Sequence, residues 1–491
     1  MHSRLRPRAA RGHARPGLLV AGAVGLALLA SGLRQPLPGA TQPERLTLRF
    51  EDPPRNLSGS PDSDSDFPRI AVTQAGTVHV VWQEAADNLA GSNLLTRARR
   101  DGLWGDTQYL ARAAQDPALI AWGEDEAAAA YASARPADGG DGDIAFKIML
   151  NRWDPKAAAW SRRGEAVPTG DGGVQPALGH ADGRFWLAWV DTSASLRRPQ
   201  YAALRDGPTP EPIGDTLSLF DDDVQSPQVA PASDGPGDTD INIAWMNGYG
   251  IESNLSHVWL PAAAPTPSVN RALGTYYLYG QPRRPALAAT RRQNVCVAWQ
   301  EAVNNEAGFR QDVIQMCSPW TAPVNVSSSS SASGDPSLGL DDDIGSLMLW
   351  QERLVPRIDE EIRFLQGAPP HSSTVYSGTV GMPSLAFDPQ RRELHAVWVA
   401  SLPGAAGSDI FYARWKVDSP TPSPSPTPSR TPSRTPSPSP STTPPTPTMT
   451  TPPELTPTPA TYTPTPSVTP TTRQTPAAHR LYAPSLRQLA P

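Results

Sequence analysis

A seven-bladed β-propeller, all-β and closed by an N-terminal strand, is the fold class this sequence predicts, and two observations carry it. The first is a repeat. A proline, a short apolar strand, a polar turn and a second strand ending in an aromatic recur from Pro68, Pro117, Pro176, Pro227, Pro285, Pro336 and Pro383. The closing aromatics are Trp82, Tyr131, Trp189, Trp245, Trp299, Trp350 and Trp398, each 13 to 18 residues after its proline. Successive prolines stand 47 to 59 residues apart, a period that reads as several strands per unit arranged as propeller blades. The second observation is what fills each period. A third strand follows every aromatic, as in NLLTRARR, DIAFKIMLNR and DIFYARW, and a fourth follows in most copies, as in LWGDTQYLA and WTAPVNVSS. No stretch keeps a helical period.

Four strands make a small twisted sheet that cannot bury both faces alone, whereas sheets stacked around an axis can. The repeated aromatic is then the residue packed between blades. Asp101-Gly102 and Asp206-Gly207 suit the tight turns between third and fourth strands. The last copy ends at DIFYARWKV with no fourth strand of its own. The segment LTLRFEDPPRNLSGSPDSDSDF resembles the APVNVSSSSSASGD that precedes Pro336, so residues 45–58 are expected to complete the last blade and remove its open edge.

Both ends differ from this body. Residues 1–40 hold six arginines and no acid, then an apolar run from Gly17 to Leu33 and small residues up to Ala40. That is the layout of a secretory signal, or of a membrane anchor if it stays uncleaved. Either way, residues 41–417 are expected outside the cytoplasm, secreted or at the cell surface. Residues 418–475 are Pro/Thr/Ser-rich units that bury no apolar core, a disordered linker of extended polyproline character. Residues 476–491 form a short tail that regains apolar residues, either a frayed end or an attachment signal. The net charge is −6, and without the basic leader the body is more acidic still, which excludes nucleic acid as a partner and leaves membrane contact only through the N-terminal segment. A monomer is expected.

Candidate chemistry gathers where first strands begin and second strands end. Glu84, Asp191, Asn247, Glu301 and Glu352 stand just past the repeated aromatics. Asp66, Arg69, Asp116, Gln175, Arg283, Arg284 and Asp335 stand near the expected axis. Such a funnel of carboxylates and arginines suits a sugar or a cation, and Glu84, Asp191, Asn247, Glu301, Glu352, Arg69 and Arg284 are the binding candidates. No cofactor and no metal site is expected. If a cation binds, the oxygen-rich runs Asp62 to Asp66, Asp221 to Asp223 and Asp341 to Asp343 would favour calcium, although none completes an EF-hand loop. Cys296 and Cys317 fall on the second and third strands of one copy, opposite each other across a hairpin, either bonded or as two buried thiols. No GxSxG, HExxH or Walker-type motif occurs in a strand-to-helix context.

PSLAFDPQRRELHAVW followed by DIFYARW, and PRIAVTQAGTVHVVWQE, resemble the sialidase-like, BNR-type repeats of secreted bacterial proteins over residues 44–417. The resemblance implies a propeller used for glycan binding or hydrolysis. A catalytic member would bring a nucleophilic Tyr with a Glu partner, here Tyr276 or Tyr277 with Glu301, and an arginine such as Arg69. The sequence departs from that pattern: in ARRDGLW, Asp101 is followed at once by Gly102, which breaks the family's Asp-box spacing, and Phe67-Pro68-Arg69-Ile70 is not its Phe-Arg-Ile-Pro. The expected function is a non-catalytic module binding glycan or protein at the cell surface. The alternatives are a sialidase-like exo-glycosidase and a structural envelope protein.

Overall fold

The computed structural model describes residues 48–417, apart from 61–62, 87–91, 137–143, 194–196, 208–210, 214–216, 219–223, 236, 248–251, 262–270, 278–284, 306–307, 321, 355–359 and 367–370. The basic and apolar leader, the Pro/Thr/Ser-rich linker and the final tail lie outside the described residues. Every described element is a β-strand, bridge or turn.

The strands fall into repeated antiparallel modules. An N-terminal strand β1 (Leu48–Asn56) precedes the first, which holds β2 (Ser65–Val72), β3 (Val78–Ala85), β4 (Ser92–Arg100) and β5 (Leu103–Trp104). The next holds β6 (Gln108–Trp122), β7 (Glu126–Pro136), β8 (Ile144–Asp154), β9 (Ala159–Trp160) and β10 (Glu165–Ala166). Then come β11 (Gly173–Ala181), β12 (Arg184–Asp191), β13 (Arg198–Arg205) and β14 (Leu217–Ser218), and after them β15 (Val224–Ser233), β16 (Thr239–Asn247), β17 (Glu252–Pro261) and β18 (Arg271–Tyr277). The following module is β19 (Ala286–Arg291), β20 (Asn294–Asn305), β21 (Gly308–Cys317) and β22 (Val324–Asn325). The last strands are β23 (Ala332–Asp341), β24 (Gly345–Arg353), β25 (Glu360–Gln366), β26 (His371–Asp388), β27 (Glu393–Ser401) and β28 (Asp409–Val417). Two strands serve two modules. β6 pairs first with β4 and then with β7, and β26 pairs first with β25 and then with β27.

The proline and the aromatic of the repeat meet in one local structure. In β2, Asp66 pairs with Gln83 and Arg69 with Val81, so Phe67 and Pro68 together face the single residue Trp82. The same skip sets Asp116-Pro117 against Tyr131, Gln175-Pro176 against Trp189 and Ser226-Pro227 against Trp245. It recurs with Asp335-Pro336 against Trp350 and Met382-Pro383 against Trp398. Two residues against one is a β-bulge, which bends its strand and sharpens the twist. Proline has no N–H to give a ladder, so a bulge is where a strand accommodates it. The residue before each of these prolines takes a positive φ: 49° at Phe67, 55° at Asp116, 51° at Gln175, 53° at Ser226, 48° at Asp335 and 48° at Met382.

The aromatics of the repeat are buried, with Trp82, Trp245, Trp299, Trp350 and Trp398 at 0 % exposure. They fill cores that lie between modules. Trp299 packs with Ala244, Met246 and Leu255 of the module before it, and Trp350 with Ala298 and Val313. Trp82 packs with Val397, Ile410 and Tyr412, which belong to the last strands of the chain. The innermost strands β2, β6, β11, β15, β19, β23 and β26 touch in that order, and β26 touches β2.

β1 pairs antiparallel with β28, so the N-terminal strand completes the C-terminal sheet. One hydrogen-bond pattern explains the pairing. Asp409 opens β28 and accepts from Asn56 Nδ2 at 2.9 Å and Ser58 Oγ at 2.7 Å, while Ser58 Oγ accepts from Ile410 N at 3.0 Å. The fourth strand β22 docks on β21 in the same way. Asp312 accepts from Asn325 Nδ2 at 2.7 Å and Ser327 Oγ at 3.3 Å, and Ser327 Oγ accepts from Val313 N at 3.0 Å. Asn56-Leu57-Ser58 and Asn325-Val326-Ser327 are thus the same device. Arg414 binds both Glu393 and Asp52, and Asp52 also takes Arg99 of β4 at 3.1 Å, which ties the first and last sheets together.

His79 and His395 are among the buried imidazoles. His79 lies against Trp153 and Trp160, with ring centroids 4.7 and 5.6 Å away, and neither of its nitrogens has a hydrogen-bond partner. Burial holds it at about 3. His395 meets the Tyr412 hydroxyl at 3.0 Å and is also held at about 3, by burial first and then by Arg414, Arg99 and Arg391.

Two outcomes are expected. Trp350→Ala removes an indole from the core between two modules and lowers unfolding stability by about 3–5 kcal/mol in urea titrations. Both imidazoles titrate lower folded than unfolded, so their contribution is complete above the unfolded value of about 6.5 and is lost as pH falls toward 3. Each gives up about 1.4 kcal/mol per pH unit in that window. His79→Phe should therefore flatten the pH slope of stability between pH 6.5 and 4.5 by about one proton's worth, measured by urea unfolding at several pH values.

Candidate functional site

The bulges that seat the aromatics also shape a cavity. Its volume is about 510 Å³, and its lining takes one residue of positive φ from each described bulge: Phe67, Asp116, Gln175, Ser226, Asp335 and Met382. The order of strand contacts sets their sequence around the cavity. Met382 and Phe67 come from neighbouring modules and form an apolar arc; Asp116, Gln175 and Ser226 follow as a polar arc. Pro285 to Leu287 separate Ser226 from Asp335. Gln225, Gln228, Ser337 and Ser384 add amide and hydroxyl groups. A second space of about 230 Å³ runs on along the same strands, against Ile70, Ile120, Val229 and Leu385.

Hydrogen bonds within and between modules hold the lining in place. Arg69 donates from Nε to the Pro117 carbonyl at 3.1 Å and from Nη1 to the Pro68 carbonyl at 3.0 Å. The Asp116 N–H donates to Gln83 Oε1 at 2.7 Å, and the Ser226 N–H to Gln175 Oε1 at 2.8 Å. Leu385 N donates to Ser337 Oγ at 3.0 Å, and Gln228 Nε2 to the Pro227 carbonyl at 2.8 Å. The bulge thereby satisfies backbone groups that the ladder leaves unpaired. Gln83 is the middle residue of Trp82-Gln83-Glu84, a triplet repeated at residues 299–301 and 350–352. Gln300 reaches the next bulge closely enough that its amide would have to shift if Gly334 carried a Cβ.

The structure divides the sequence-derived candidates. Arg69, Asp116, Gln175 and Asp335 line the cavity. Asp66 precedes its bulge, paired with Gln83, and is not in the lining. Arg283 and Arg284 lie outside the described residues. Glu84, Asp191, Asn247, Glu301 and Glu352 are also outside the lining. The reason is the period of a strand: each stands two residues past an aromatic and shares that aromatic's face, which is turned toward a neighbouring module. Glu301 accepts the Trp299 indole N–H at 3.2 Å, and Glu352 accepts that of Trp350 at 3.3 Å. Glu84 accepts Ser60 Oγ at 2.8 Å and Ser65 Oγ at 3.4 Å, and Asp191 accepts the Ser193 N–H at 2.8 Å. Burial, helped by the charge of Asp312, pushes the Glu301 carboxyl up to about 7 against the pull of the indole bond.

The expected pairing is of Tyr276 or Tyr277 with Glu301, and Glu301 is not in the described lining. Both tyrosines sit on β18, the last strand in its sheet's order, and their side chains lie outside the described residues. Cys296 and Cys317 face each other in the β20–β21 register and are joined by a disulfide. Asp62 and Asp221 to Asp223 lie outside the described residues. In the turn after β23, Asp341 accepts the N–H groups of Asp343 and Ile344, while Asp342 binds Thr290, Asn294 and Arg291, bonds that hold its carboxyl below its ordinary value. Among the described residues no group of three or more His, Cys, Asp or Glu is placed to hold a metal ion. Phe67, Ser226, Gln228, Ser337, Ser384 and Met382 were not singled out as site residues from the sequence, yet each flanks a repeated proline, and that adjacency was the available signal.

No family model and no curated protein matches this chain. Among solved structures, a protein of unknown function from Dyadobacter fermentans is similar at 12 % identity and a TM-score of 0.45, over 76 % of this chain and 99 % of that one. An α-L-arabinofuranosidase from Fusarium graminearum is similar at 14 % identity and a TM-score of 0.41, over 76 % and 97 %. The endosialidase of phage phi92 is similar at 9 % identity and a TM-score of 0.44, over 75 % and 70 %.

Proposed function

We propose that this chain is an exported seven-bladed β-propeller, closed by its N-terminal strand, that binds glycan ends in its axial cavity without cleaving them. The cavity carries the reading. It is of ligand size, it is enclosed by the first strands of successive modules, and its lining mixes amide, hydroxyl and carboxyl groups with Phe67 and Met382. Sugars offer hydroxyls that both donate and accept, which such a lining matches. The contact of β26 with β2 and the pairing of β1 with β28 support the closed ring. The leader supports export, and a disulfide suits an oxidising compartment. The engagement of Glu301 with Trp299 speaks for a packing role, which favours binding over turnover.

The test is a glycan array run beside fluorogenic glycoside assays on the exported full chain. Binding without turnover is expected. Turnover abolished by Asp116→Asn or Asp335→Asn would establish a hydrolase instead, since two cavity carboxyls are what glycoside cleavage needs. An array on which nothing binds would end the glycan reading.

Glu301 gives a separate expectation. Its folded value of about 7 exceeds the ordinary 4.5, so its contribution to stability is complete below pH 4.5 and is lost as pH rises through 7. Glu301→Gln keeps an acceptor for the Trp299 indole and removes the titration. Its melting temperature should drop less than that of the wild type between pH 5 and pH 8, with glycan binding at pH 7 unchanged.

A further inference from the structure

The seam between the first sheet and the closing strand carries more positive charge than its ion pairs use. Arg55 stands on β1 opposite Tyr412 of β28 and is exposed. Its guanidinium joins no hydrogen bond or ion pair with the described residues. Arg97 reaches the same seam from β4. It donates from Nε to the Gly105 carbonyl at 2.7 Å and from Nη1 to the Leu57 carbonyl at 3.0 Å. Those bonds orient the guanidinium and set no carboxylate against it. Burial and then the charge of Arg55 push the Arg97 guanidinium below its ordinary value, while Asp106 pulls the other way. Asp106 is itself exposed and in ion-pair contact with neither arginine.

The adjoining charges do not cancel this excess. Asp52 is shared between Arg99 and Arg414, and Glu393 between Arg414 and Lys416. Beside Arg97 stands a half-buried indole. Trp104 pairs with Arg99 in the β4–β5 ladder, precedes the Gly105 that holds Arg97, and meets the Tyr412 ring edge-on at 4.9 Å. A brace between sheets explains Arg97. It does not explain a second guanidinium placed within range to repel the first, in a chain whose net charge is −6. Two guanidiniums with N–H groups to spare match the oxygens of a carboxylate or a sulfate, and an indole face matches the C–H face of a sugar. We infer that Arg55, Arg97 and Trp104 form a second glycan site, outside the axial cavity, that takes the carboxylate or sulfate group of an acidic sugar residue. It uses no residue of the cavity lining and goes beyond the cavity reading.

The exported full chain is titrated by calorimetry, at low and at physiological salt, with a hyaluronan tetrasaccharide, a heparin tetrasaccharide and neutral cellotetraose. The first carries carboxylates alone and the second adds sulfates, so the pair separates the two anion sources. One or both acidic probes are expected to bind, more weakly as salt rises, and cellotetraose is expected not to displace them. Arg55→Ala loses no contact, so it should melt with the wild type and weaken acidic binding about tenfold. Arg55→Glu should abolish that binding, and Asp106→Asn should tighten it about two- to threefold. Trp104→Leu should weaken the tetrasaccharides and leave the affinity for inorganic sulfate alone unchanged. Acidic binding that is equal in Arg55→Glu and the wild type, or absent from both, would overturn the inference. Neutral array binding indifferent to Arg55 would still uphold the cavity reading. Acidic binding lost only in the Arg55 and Trp104 variants would uphold this site even where the cavity holds no glycan.

Discussion

The pairing of an X-Pro bulge with one large aromatic is the constraint on which the rest of this structure depends. A proline breaks a ladder, and a Trp or Tyr is too large for the interior of a single sheet. Placed opposite each other, each resolves the other's difficulty. The bulge takes the missing N–H, and the bend leaves the ring to fill the space toward the next module. The same bend turns the residue before the proline to the opposite side, into the cavity. One local event therefore sets the core between modules and the lining of the site, and repeating it along the chain repeats both.

That dependence explains why the hydrophobic clusters join modules and why the first sheet depends on the last. Trp82 finds its apolar partners in Val397, Ile410 and Tyr412, more than three hundred residues away. Such contacts form late, because long loops must close first. The Asp409 bonds to Asn56 and Ser58 give the N-terminal strand a definite register, as the Asp312 bonds to Asn325 and Ser327 do within one module. Pro53 and Pro54 lie on β1, the outer strand of that sheet, and deny its free edge to another chain.

Much of this was legible because it is written at fixed spacing. The proline-to-aromatic repeat announced the modules, and the likeness of the NLSG and NVSS segments announced the N-terminal strand's partner. The site was less legible. Arg69, Asp116, Gln175 and Asp335 could be placed near the axis because they neighbour the prolines, but a bulge leaves no mark in polarity, and the apolar Phe67 and Met382 were not singled out. Glu84, Glu301 and Glu352 stand outside the described lining of that cavity. A carboxylate at a strand end suggests solvent and ligand, yet an offset of two from Trp puts it on the indole's face, where Glu301 and Glu352 cap an N–H that packing would otherwise leave unpaired.

The division of labour at the bulge has a consequence for specificity. The aromatic side bears the packing, and losses there are losses of cavity volume filled by rings. On the pre-proline side the bulge backbone is held through main-chain N–H groups that donate to Gln83 and to Gln175, the latter itself an X residue. Residues at X can therefore differ from module to module, as Phe, Asp, Gln, Ser and Met do here, without disturbing the register around them. A repeat that would otherwise build a symmetric and chemically uniform channel instead carries an apolar arc and a polar arc. That asymmetry arises at the positions where each described bulge demands the same positive φ.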